Sequence, residues 1–159
     1  MTLDQAFTLN QAFTLDQVFS WAGFLALFGW VALALSPLRP ALSQAIAGAF
    51  VPATLALAYA VLILRFWGGA SGGFGSLEEV GALFGHRGLL LAGWLHYLAF
   101  DLLVGAWEVR AARRSGLPHL AVLPCLALTF LFGPIGFLIF LALRGFWLRG
   151  LSRRQGELT

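Results

Sequence analysis

Three ionisable side chains fall within one apolar stretch, Gly93-Trp-Leu-His-Tyr-Leu-Ala-Phe-Asp-Leu-Leu-Val-Gly-Ala-Trp-Glu108. They are His96, Asp101 and Glu108. A charge at the centre of a bilayer costs at least ~2.5 kcal/mol on insertion scales, so such residues face a cavity or a partner. At a helix's 100° per residue, Trp94, Tyr97, Asp101, Gly105 and Glu108 share a stripe about 80° wide. His96 projects about 140° away from Asp101, on the side of Phe100, Leu103 and Trp107. On a straight helix the two cannot bond directly, and cooperation needs another helix or a water. Asp101 carries the sharpest chemistry: a carboxyl there exchanges a proton or orients a ligand, or else pairs with an arginine or caps a broken backbone. His96 offers acid–base chemistry too, against the simpler reading of a hydrogen-bonded interhelical histidine. Glu108 lies near Arg110 and Arg114 in sequence, which favours a plain surface pair.

Outside this stretch, Thr129 is the hydroxyl placed to bond a backbone carbonyl freed by a nearby bend. The turn Arg113-Arg-Ser-Gly-Leu-Pro-His119 reads first as a topological anchor and second as a headgroup or anion site. His86, His96 and His119 lack metal-ligand spacing, so no metal set is visible. P-loop, Rossmann glycine pattern and nucleophile elbow are all missing from the sequence. The residues single out no cofactor. Asp101 and His96 are the catalytic candidates. Trp94, Tyr97, Gly105, Glu108, Thr129 and Pro134 are the candidates for contacting a ligand.

The elements that position these residues follow from composition. Of 159 residues, 60% are hydrophobic and 11% charged, against roughly 25% charged in soluble domains. That excludes an ordinary soluble enzyme, a disordered chain and a nucleic-acid binder. All ten basic residues are arginines, at the ends of apolar runs, where headgroup contacts put them. Cys125 is the one cysteine, so no intrachain disulfide forms. No basic n-region precedes the first apolar run, and no signal peptide is expected. The fold class is all-α, an integral membrane four-helix bundle. Spans are expected at about 18–35, 41–64, 88–109 and 119–143. They form a membrane domain over 18–148, between an N-terminal repeat extension (1–17) and an Arg-rich tail (149–159).

The extension repeats Thr2-Leu-Asp-Gln-Ala-Phe7 at 8–13, with Asn for Asp, and at 14–19, with Val for Ala. A six-residue period fits no helical repeat and reads as a small duplication. Ala41, Ala45, Ala49 and Ala53 make a small-xxx-small stripe on the second span, which Pro52 should kink. Gly133-Pro-Ile-Gly136 should bend or break the fourth. Between the second and third spans, Ser76-Leu-Glu-Glu79 has capping-box spacing and starts a short interfacial helix. Trp21, Trp67, Trp107 and Trp147 fall near span ends as an aromatic belt, whereas Trp30 and Trp94 lie deeper. Four crossings put both termini on one side with six arginines against four, which orients them to the cytoplasm of a multi-pass protein.

Gly93 to Trp107, then Gly116-Leu-Pro-His119, Pro124 and Leu128-Thr-Phe-Leu-Phe-Gly-Pro-Ile-Gly136, together resemble the abscisic-acid-deficient-four-like family. These are small membrane proteins of plants, algae and bacteria, and the plant members are required to form the allenic carotenoid neoxanthin from violaxanthin. The resemblance covers roughly residues 15–145. It implies a four-helix protein linked to carotenoids, here of the bacterial type and so in a bacterial inner membrane, with His96, Asp101, Thr129 and Pro134 at motif positions. Gly23 stands where the family pattern suggests an asparagine. The reading is a protein of carotenoid or isoprenoid metabolism that binds a polyene between helices and isomerises or otherwise modifies it. Its partners are an apolar polyene or lipid substrate, membrane lipids, and a homo-oligomer or partner enzyme, without nucleic acid. A non-catalytic pigment- or lipid-binding or assembly subunit and a small dimeric proton-coupled transporter are the alternatives.

Overall fold

In a computed structural model of the chain, the backbone is described for residues 3–156 and the side chains for 14–152. Residues 1–2 and 157–159, the ends of the expected extension and tail, lie outside the described residues. The described chain is all-α. Its helices are α1 (Leu3–Ala34), α2 (Pro40–Ala45), α3 (Val51–Phe66), α4 (Leu77–Gly85), α5 (Arg87–Arg114), α6 (His119–Phe132) and α7 (Pro134–Gly156). Four helical stretches are long and apolar enough to cross a membrane: Thr14–Ala34, Pro40–Gly69, Arg87–Arg114 and Pro134–Ser152. Hydrocarbon offers the backbone no hydrogen-bonding partners, so apolar runs of this length satisfy themselves as helices. The chain is an integral membrane protein by this measure.

α1 carries the backbone of the repeat from Leu3 onward and continues without a break into the first span. The second span joins α2 to α3 through a widened turn, Ile46–Phe50. Pro52 explains it. The ring would clash with the carbonyl four residues earlier and supplies no N–H, and one extra residue in the turn relieves both. The alanine stripe does not pack inside the chain. Ala41, Ala45, Ala49 and Ala53 are exposed, and Ser43, Ala47, Val51 and Leu55 form the buried face instead.

Two compact units divide the chain, Met1–Leu27 with Val51–Ala99 and Phe28–Phe50 with Phe100–Thr159. In the first, Phe19 meets Trp94 at 5.6 Å between ring centroids. Asp16 pairs with Arg87 at 2.7 Å, both side chains well exposed, a geometry that contributes little to stability. The interfacial helix forms as its capping signal requires. Ser76 Oγ accepts from the Glu79 amide at 3.2 Å. Glu79 Oε2 in turn accepts from the Gly75 amide at 3.0 Å, one residue earlier than the standard reciprocal bond. Replacing Ser76 with Ala should weaken α4 by ~1 kcal/mol, seen as faster amide exchange over 77–85 with the rest of the unit unchanged.

In the second unit, the apolar run read as one span is two helices. α6 has 14 residues, too short to cross a bilayer. Gly133, at φ +44 and ψ −98, ends it in a conformation that L side chains rarely adopt. Pro134 then starts α7, where its missing N–H costs nothing. The bend is a reversal. A Cβ at Gly136 would lie 2.1 Å from the Thr129 amide nitrogen, so α7 folds back on α6 with only a glycine's width between them.

Candidate functional site: a carboxyl face on α5 against a helix reversal

Asp101 stands at the middle of the 28-residue α5 and is half-buried. Its carboxyl lies on the reversal. A Cβ at Gly133 would sit 2.9 and 3.0 Å from its two oxygens. Glycine at 133 therefore serves twice, supplying the backbone conformation and leaving room for the carboxyl. The start of α7 is at the same point, and the positive end of a helix dipole favours negative charge there. Backbone that leaves the helical pattern at this depth is tolerated where protein covers it or a cavity hydrates it, and Gly133 is buried.

Two turns along the same face, Glu108 is wholly buried. Its Oε1 accepts a hydrogen bond from Thr129 Oγ1 at 2.9 Å, and its Oε2 has no hydrogen-bond partner among the described residues. The surface pair with Arg110 or Arg114 is not what forms. Residues two and six apart do not share a helix face, and Arg110 instead donates to Gln44 Oε1. Thr129 likewise spends its hydroxyl on Glu108, not on a freed carbonyl. The pair ties α5 to α6 one turn before the reversal. Thr129→Val leaves the buried Glu108 carboxyl without its donor and should cost ~1–3 kcal/mol. Thermal unfolding in lipid nanodiscs checks this, with Thr129→Ser expected near wild type.

Between the two carboxyls lies Gly105. A Cβ there would meet the Trp30 ring at 2.6 Å. Trp30 is 8% exposed and lies 5.6 Å from Phe130. Asp101, Gly105 and Glu108 thus share a packed face, as the helical stripe requires. Trp107 is not a belt residue. It packs against Phe137 at 5.6 Å and Phe140 at 5.7 Å. Trp147 does anchor an end, donating to the Ser115 carbonyl at 3.0 Å. Arg144 donates to Ser115 Oγ at 2.9 Å. Pro134 itself is exposed; its glycine neighbours make the contacts. The roles of Gly133, Gly136 and Trp30 are tertiary, and only the Gly-Pro-x-Gly pattern hinted at the first two.

The other candidates belong to the first unit. His96 and Tyr59 stand 5.9 Å apart between ring centroids on the wall of a cavity of about 340 Å³. Trp67, Phe74, Leu83 and Phe84 supply apolar surface, and Trp67 stacks on Phe74. Trp94 lies 5.3 Å from Tyr97 and borders a second cavity of about 270 Å³ with Phe19, Asp16 and Arg87. Both cavities are of the apolar kind, with few polar groups, that holds small ligands.

No curated protein and no solved structure matches the chain. The family model described as ABA DEFICIENT 4-like matches residues 17–140. The match takes in the whole of α5 and α6, the Gly133 reversal and the first turns of α7. On that match the chain belongs to the ABA DEFICIENT 4-like family, a membership that suggests a link to carotenoid metabolism.

Proposed function

We propose that the protein binds a cyclic-ended polyene or related isoprenoid and isomerises it by acid–base chemistry at Asp101. The observation that carries this reading is the Asp101 carboxyl held at mid-span against the Gly133 reversal. A carboxyl in that place can give a proton to an end-ring oxygen as its C–O bond opens. It can also take up the proton that leaves carbon as the new double bond forms. The product is an isomer of the substrate, and the carboxyl ends as it began. Glu108 and Thr129 are positioning residues that hold α5 to the hairpin. In the first unit, the aromatic cavity beside His96 suits a flat, unsaturated, apolar group with one polar end. His96 and Tyr59 are the polar groups of its wall, and Trp94 and Tyr97 border apolar surface of the same unit.

Expression in a carotenoid-producing host tests the binding half. Pigment should co-purify in detergent, with an absorption spectrum shifted from that of free pigment. Protein that purifies colourless beside abundant host carotenoid would remove the polyene from the reading.

A further inference from the structure

We infer that α6 and α7 form a re-entrant hairpin, and that it gathers most of the chain's arginines into one cytoplasmic surface that binds anionic phospholipid headgroups. The levels along α5 establish the hairpin. Thr129 of α6 meets Glu108, and Gly133 meets Asp101, seven residues deeper on α5. From there α7 climbs. Phe137 and Phe140 lie on Trp107, and Arg144 and Trp147 lie on Ser115. At 1.5 Å per residue, Asp101 to Ser115 and Gly133 to Trp147 are the same rise, about 21 Å. α7 therefore ends at the α5–α6 turn where α6 began, and the pair does not carry the chain across.

Three crossings remain, so by chain order the start of α1 and the end of α7 fall on opposite sides of the membrane. The arginines then sort sharply. Arg39, Arg110, Arg113, Arg114, Arg144, Arg149, Arg153 and Arg154 fall on the hairpin's side, and Arg65 and Arg87 on the other. The six-to-four division expected from four crossings becomes eight to two. An excess of that size near span ends marks the cytoplasmic side. Four crossings would put both ends of the chain on one side, and the hairpin puts them on opposite sides.

The same end has the chemistry of a headgroup site. Arg110, Arg113 and Arg114 line an open concavity of about 460 Å³. Gln44 takes one guanidinium donor of Arg110 and itself donates to the Ala106 carbonyl at 3.2 Å. Arg114 Nε donates to the Arg110 carbonyl at 3.4 Å. These bonds fix two of the three stems and leave forked donors for a phosphodiester. Among the described residues, Asp16, Glu78 and Glu79 belong to the first unit, and Asp101 and Glu108 lie at other levels of α5 within the second. Anionic lipid on the cytoplasmic leaflet supplies the missing charge.

Single cysteines, Thr2→Cys and Thr159→Cys in a Cys125→Ala background, test the hairpin with a membrane-impermeant maleimide. Position 2 should label in intact cells, and position 159 only in inside-out vesicles. Labelling of both from one side overturns the hairpin, and the reverse pattern overturns the cytoplasmic assignment. The full chain in nanodiscs tests the surface. Native mass spectrometry should retain phosphatidylglycerol over phosphatidylcholine by about tenfold. Arg113→Gln with Arg114→Gln should reduce that preference at least fivefold, with thermal unfolding in phosphatidylcholine discs unchanged. Equal retention of the two lipids overturns the site. Inorganic phosphate that competes at the lipid's own affinity overturns the headgroup assignment and makes it a soluble-anion site.

Discussion

Asp101→Asn should lower turnover by ~10²–10⁴-fold, the span that a positioned acid–base group supplies. The amide keeps the size of the carboxyl and its hydrogen-bonding reach, so pigment binding and unfolding temperature should stay near wild type. Asp101→Leu separates the chemical role from a structural one. It removes both proton exchange and polarity, and relieves whatever desolvation the carboxyl carries. If Asp101 serves chemistry, the leucine variant is inactive and at least as stable as wild type. If it serves structure, the leucine variant loses stability and the asparagine variant stays active. High-performance chromatography of extracted pigments, read beside differential scanning fluorimetry of the same samples, resolves the two patterns.

Gly136→Val should be the most damaging single change in the chain. Its Cβ would fall 2.1 Å from the Thr129 amide nitrogen and 2.5 Å from the Thr129 Cα. Those are backbone atoms and cannot rotate aside, as a side chain would. Overpacking of yielding cores costs ~1–3 kcal/mol, and a backbone clash at a helix reversal belongs in the tail beyond ~4 kcal/mol. Gly136→Ala meets the same atoms and should behave similarly. By contrast Gly145→Ala, at a helical glycine with nothing within 4 Å of the added methyl, should be neutral or slightly stabilising, because alanine favours the helix. The yield of monodisperse protein and its unfolding temperature check the series. A Gly136→Val protein as stable as wild type would mean that α6 and α7 do not pack as described.

Much of this was legible in the sequence because hydrophobicity and helix rotation are local. The long apolar runs, the capped helix at 77–85 and the shared face of Asp101, Gly105 and Glu108 needed no tertiary information. The reversal did. Gly-Pro-x-Gly permits a kink or a return equally, and what selects the return is side chains far along the chain, Trp107 for Phe137 and Ser115 for Trp147. Glu108 was misread through proximity in sequence, although Arg110 two residues on points to a different face. Thr129 shows the same limit. A local back-bond is a hydroxyl's default in a helix, and a buried carboxyl across the interface displaces it. The alanine stripe carried the spacing of a packed interface, yet Ser43, Ala47, Val51 and Leu55 on the opposite face take the burial. The position of the widened turn before Pro52 is legible in hindsight, since the clash falls four residues earlier at Gly48.

On the proposed function, this carboxyl rearranges a bound polyene. The direct measurement incubates wild-type protein in nanodiscs with a polyene bearing a ring epoxide and follows products by chromatography with mass detection. A new species of unchanged mass and altered absorption spectrum should form with wild type and be absent with Asp101→Asn. Substrate that binds, shifts its spectrum and is recovered unchanged would contradict it and leave the protein a pigment-binding subunit.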